Sequence, residues 1–198
     1  MNFQELYDWI FHQHPESGGL PLKSTGIVLG LLLLGTHVLA AWKSEATISL
    51  LRRFPRQRLY GIVILAVCMV WSLFLAAYMD MGEFFTFRRY LLMIIPATFV
   101  LVIIYVPEFL AVRALGALML LAASPVLHAA FLQPQISRLL LPILAYAWII
   151  GGMFFVGMPY LMRDAVEWVT KTPMRWKLAT GSGVAYGIVL LVAAFVSY

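Results

Sequence analysis

Residues 24–43 read STGIVLGLLLLGTHVLAAWK. The run holds no acidic side chain, and its single basic residue, Lys43, closes it. A hydrocarbon core of roughly 30 Å needs about 20 helical residues, so this run has the length and polarity of a transmembrane helix. Five further runs meet the same test: Tyr60–Met79, Tyr90–Val106, Pro107–Phe131, Leu139–Leu161 and Leu178–Val196. The predicted fold class is an all-α membrane protein of about six transmembrane helices, preceded by an amphipathic interfacial helix.

Composition agrees. The chain is 63% hydrophobic and 12% charged, with a mean hydropathy of +0.90, where soluble domains carry about 25% charged residues. Inside the runs only Glu108 and Arg113, both near the start of the fourth, intrude. No segment between runs is long enough to bury a core of its own. The chain therefore divides into an interfacial helix with its linker, residues 1–23, and one six-span domain, residues 24–198.

The first residues are not read as a secretory signal, because Lys23 is their only basic residue and Glu5, Asp8 and Glu16 oppose it. Phe3, Leu6, Tyr7, Ile10 and Phe11 recur at helical spacing, with Gln4, Glu5 and Asp8 on the other side, which predicts a short helix on the membrane surface or on the bundle. His14-Pro15, Gly18-Gly19 and Pro21 then break it. After the first run, Ser44 to Phe54 predicts a second short helix, stopped by Pro55 and crowded by basic residues. A third, carrying Glu167 and Lys171 at helical spacing, should end before Pro173. Between the third and fourth runs almost no loop remains. Pro107 suits a first helical position and Glu108 the positive helix end, so these two spans are expected to form a tight hairpin.

Lys43, Arg52, Arg53, Arg56, Arg58, Arg113, Arg163, Lys171, Arg175 and Lys177 fall on one side of this arrangement. Only Lys23, Arg88, Arg89 and Arg138 fall on the other. By the positive-inside bias the richer side is cytoplasmic and both termini lie outside, the expected location being a bacterial inner membrane. The net charge of +5 is then a topology signal with attraction to lipid, not a nucleic-acid surface. Arg52, Arg53, Arg56 and Arg58 are expected at anionic inner head groups, with Arg113 snorkelling to them.

His37 is the one ionisable side chain well inside an apolar run, and such a residue is a candidate ligand or proton site. His128 should lie near the opposite face, which argues against haem ligation by the two together. Asp80, Glu83, Arg88 and Arg89 form a charged outer rim, expected to be solvated and joined by exposed salt bridges. Gly26/Gly30 and Gly183/Gly187, with the looser Ala147/Gly151, are small-residue pairs that let membrane helices approach closely, and Leu33 is taken to face outward. Cys68, the only cysteine, is read as a small buried apolar residue. Pro96, Pro125, Pro142 and Pro159 are compatible with transport or with plain packing.

No catalytic residue, metal site or cofactor is assigned. HExxH and phosphate-loop motifs are absent, and Gly181-Ser182-Gly183 has neither the preceding glycine nor a later histidine that a serine intramembrane protease requires. The expected function is that of a non-catalytic membrane protein, an accessory or scaffold subunit packing with itself or with other membrane proteins. A small transporter or channel acting as an oligomer is the alternative, and a haem- or pigment-binding subunit using His37 is a third.

Overall fold

A computed structural model of the chain describes residues 2–11 and 19–198. All regular structure among them is helical. The helices are α1 (Phe3–Phe11), α2 (Leu22–Trp42), α3 (Ser44–Arg53), α4 (Arg58–Tyr78), α5 (Arg88–Tyr105), α6 (Leu110–Ala130), α7 (Leu140–Gly157), α8 (Tyr160–Thr170) and α9 (Pro173–Val196). Short 3₁₀ turns lead into α4, α5 and α7. Six segments, α2, α4, α6, α9 and the stretches ending in α5 and α7, are long and apolar enough to cross a membrane. The expected break at His14-Pro15 and Gly18 lies outside the described residues.

The core is organised around α6, the long helix with the largest buried share. Leu22 and Leu29 of α2, Ala123, Val126 and Ala130 of α6, Leu141 and Ala145 of α7 and Leu190 of α9 form one buried cluster. A second joins Leu65 of α4 to Leu110 and Ala114 of α6. The closest pairings are α2 with α9, α6 with α7, and α4 with α6, while α5 packs on α4 at the edge. On α4, the Cys68 thiol is fully buried, 3.7 Å from the Ala114 carbonyl oxygen.

α1 is docked rather than free. Its apolar side places Tyr7 against Phe74, with ring centroids 6.1 Å apart, and Phe11 edge-on to His128 at 5.9 Å. Burial and the carboxylates of Asp8 and Asp80 push the Tyr7 phenol above its usual range.

Three sequence expectations need correction. The third and fourth spans do not pair as a hairpin: α5 and α6 diverge from their short link, and each packs on α4 instead. The start of α6 also differs. Phe109 adopts φ +54°, in the left-handed region, so the helix begins at Leu110 and neither Pro107 nor Glu108 is part of it. The last helix starts at Pro173, five residues before Leu178. There Thr172 caps it, its side-chain oxygen accepting from the Arg175 N–H at 3.4 Å, with Pro173 in the first turn where its missing N–H costs nothing.

Candidate functional site

α2 and α9 run antiparallel in close contact, and their glycines make the approach. An added Cβ at Gly30 would lie 2.8 Å from Leu191 Cγ and 3.2 Å from the Gly187 carbonyl oxygen. One at Gly187 would lie 2.9 Å from the Leu34 backbone nitrogen, and one at Gly26 would meet Tyr198 and Ala194. A Cβ at Gly183 would run into the His37 ring. The imidazole therefore lies over Gly183 as a packing element of this contact. Its Nδ1 sits 2.8 Å from the Leu33 carbonyl oxygen one turn back, a distance that fits an Nδ1–H donor, and the Thr36 hydroxyl lies 3.3 Å away. His37 is half-buried, with its Nδ1 bonded within its own helix. His128 repeats the pattern at the opposite end of the molecule, Nδ1 lying 2.9 Å from the Ser124 carbonyl oxygen, so the two histidines do not meet.

Other predicted small residues behave differently. Ala147 is exposed, and a Cβ at Gly151 would meet only the terminal methyl of Met119, at 3.2 Å. The close crossing of α6 and α7 is made by Gly116 and Gly152, where an added Cβ on either would stand 2.7 or 2.8 Å from the other's carbonyl oxygen. Gly61 does the same for α4, with the Ala111 nitrogen 2.7 Å away. None of the three has a small residue four positions before or after it, so no pair motif marks them. Leu33 is packed against the α2–α6–α7–α9 core and does not face outward.

The arginines share a structural theme. The last carbonyls of a helix have no intrahelical donor, and the helix end is electronegative. Arg58 Nη2 donates to Ile103 O near the end of α5 at 3.2 Å, and Arg113 Nη1 to Val156 O near the end of α7 at 2.8 Å. Arg175 Nη1 donates to Trp168 O and Arg52 Nη2 to the Thr170 hydroxyl, both at the end of α8. On the opposite face Arg88 Nη2 reaches Met79 O, beyond α4, at 2.7 Å. Arg113 belongs to the first turn of α6 and is tied to the end of α7. Arg53 is exposed, and neither it nor Arg56 has a hydrogen-bond or ionic partner among the described residues.

The charged rim is also different in detail. Asp80 accepts from the Gly82 N–H at 2.9 Å, Arg89 stacks on Tyr90 at 5.4 Å, and Glu83 is exposed. No ion pair joins Asp80, Glu83, Arg88 and Arg89 among the described residues: Arg88 is engaged by Met79, Asp80 by Gly82 and Arg89 by Tyr90.

Two cavities flank the contact of α3 with α8, on the face that carries Arg52 to Arg58. One, of about 400 Å³, is lined by Arg52, Arg56 and Arg163 with Glu167, over apolar Leu51, Pro55, Phe109 and Val166. The other, of about 420 Å³, runs from His37 and Trp176 past Phe155, Met162 and Ala179, and is almost wholly apolar. Leu51 and Val166 line both. No group of His, Cys, Asp and Glu side chains that could hold a metal occurs among the described residues. Comparison with family models, curated proteins and solved structures finds no match to this chain.

Proposed function

We propose that this chain is a non-catalytic, multi-pass integral membrane protein of a bacterial inner membrane, whose work is assembly with itself or with other membrane proteins. The observation that carries the reading is α5. It buries no residue against its own chain, unlike the other long helices. Midway along it, Ala97 and Thr98 are exposed, and Thr98 makes no hydrogen bond among the described residues, whereas Thr25, Thr36 and Thr180 each bond the backbone carbonyl four residues back. Pro96, one turn after Leu92, has no N–H to offer the Leu92 carbonyl. A hydroxyl left without a partner at mid-depth is costly against hydrocarbon, and a neighbouring helix that offers a hydrogen-bond partner across small Ala97 would satisfy it.

Transport is less well supported. A path through the bilayer needs polar groups at depth, and the one ionisable side chain there, His37, is held by Leu33 and packed on Gly183. Reconstitution of the purified chain alone in liposomes tests the reading. No ion or solute flux above protein-free vesicles is expected. Flux abolished by His37→Ala in a protein that still folds would overturn it in favour of a carrier.

A further inference from the structure

The two cavities at the α3–α8 contact differ in character and share a wall. The polar one presents three guanidinium groups and one carboxylate, from Arg52, Arg56, Arg163 and Glu167, hence a lining charge of +2. Arg52 is bonded to the Thr170 hydroxyl at 2.9 Å, and Arg163 to Asp164 at 2.8 Å with both side chains about half exposed. The Asp164 contact raises the proton affinity of the Arg163 guanidinium, which stays charged throughout. Arg56 supports nothing in the fold: it has no partner among the described residues. A basic recess with a free guanidinium is complementary to a phosphate, which several arginines grip through charge-assisted bonds. Across Leu51 and Val166 lies the apolar cavity, bounded by Phe155, Met162, Val169 and Ala179.

We propose that the two cavities form one binding site for an anionic phospholipid. The phosphate is held by Arg56 and Arg163, with Arg52 beside them, and an acyl chain passes over Leu51 and Val166 into the apolar cavity. The proposal rests on the membrane reading above, since α3 and α8 are then the amphipathic helices at head-group level, where basic recesses meet anionic lipids. The lining stays net positive even with Asp164 paired to Arg163, which favours an anionic head group: a phosphomonoester carries about −1.5 to −2 near neutral pH, while a zwitterionic head group leaves Arg56 uncompensated. The adjoining apolar volume selects a lipid over free phosphate.

The test is thermal stabilisation of the purified full-length chain in neutral detergent, titrated with phosphatidic acid, with phosphatidylcholine of the same chains, and with inorganic phosphate. The variants are Arg56→Gln, Ala165→Leu, which narrows the apolar cavity, and Arg138→Gln, which removes a charge at the other end. Phosphatidic acid is expected to stabilise the wild type saturably, with apparent affinity falling about tenfold on losing one charge-assisted contact in Arg56→Gln. A fall is also expected in Ala165→Leu and none in Arg138→Gln. Equal stabilisation by phosphatidylcholine, or an unchanged response in Arg56→Gln, overturns the site. A matching response to inorganic phosphate overturns the lipid as its ligand. The membrane reading has its own readout, retention of the chain in membranes after alkaline extraction. Release would overturn both, whereas retention with an Arg56-independent response overturns the site alone.

Discussion

Gly183 and His37 meet across the α2–α9 contact so closely that any β-carbon at Gly183 would collide with the imidazole ring. Gly183→Ala must therefore push the ring off its place and strain the His37 Nδ1–Leu33 O bond of 2.8 Å. Overpacking of this kind costs about 1–3 kcal/mol. The cost should fall to near zero in a His37→Ala background, because the clash and the ring vanish together. Thermal unfolding of the two single variants and the double variant in detergent measures this coupling, and additive losses would contradict it. Gly116→Ala should be harmful in any background, since its obstacle is the Gly152 backbone oxygen rather than a movable side chain. Leu31→Ile, on the exposed side of α2, should change little. The Gly26/Gly30 and Gly183/Gly187 pairs are visible in the sequence because two turns of one helix repeat the same small residue. Gly61, Gly116 and Gly152 are not, since each is matched only by a residue far away in the chain.

At the scale of the element, helix ends decide more than helix interiors. The long helices are legible because hydrocarbon permits only a continuous apolar run with its backbone bonded internally. Their ends are set by particular caps. Phe109 delays α6 until Leu110, and the Thr172-Pro173 pair brings α9 forward to Pro173, a signal the sequence carries and hydropathy alone overrides. Nor does hydropathy choose neighbours, because α5 and α6 both read as apolar runs, and the close approach of α6 to α4 depends on Gly61 fitting against Leu110 and Ala111. The arginine caps yield a prediction. Arg113→Gln removes a charged donor from Val156 O, and hydrogen bonds to charged groups contribute about 1.5–3 kcal/mol. It should lower stability measurably, while Arg53→Gln, which has no partner among the described residues, should not; equal tolerance would contradict the capping role. At the end of α9, Tyr198 donates to Ser137 O at 2.8 Å, and burial raises its phenol above the usual value. An unfolded tyrosine ionises near pH 10, so above that pH the unfolded state holds fewer protons than the folded one and stability falls. Tyr198→Phe should flatten this alkaline loss in unfolding curves between about pH 9 and 11.

For the whole molecule, the excess of basic residues on the α3 and α8 face leads us to propose that this face is cytoplasmic and that both termini lie outside. In a background without Cys68, Ser49→Cys should be protected in intact cells from an impermeant thiol reagent and Ser197→Cys labelled; both positions are exposed. The reverse pattern would invert the orientation without touching the fold. The central claim is that α5 meets another polypeptide. Five of the long helices hold fully buried residues, whereas α5, half-buried along α4 through Phe99, Val102 and Ile103, holds none and exposes Ala97 and Thr98 at mid-length. Intramembrane disulfide trapping addresses it directly, with cysteine placed in Cys68-free protein at Ala97 on α5 and, as control, at Val192 on the exposed side of α9. Oxidation of native membranes should give a defined higher-mass adduct from Ala97→Cys, either a doubling of the 22.3 kDa chain or a conjugate with one other membrane protein, and none from Val192→Cys. Adducts from both positions alike, or from neither, would contradict the claim.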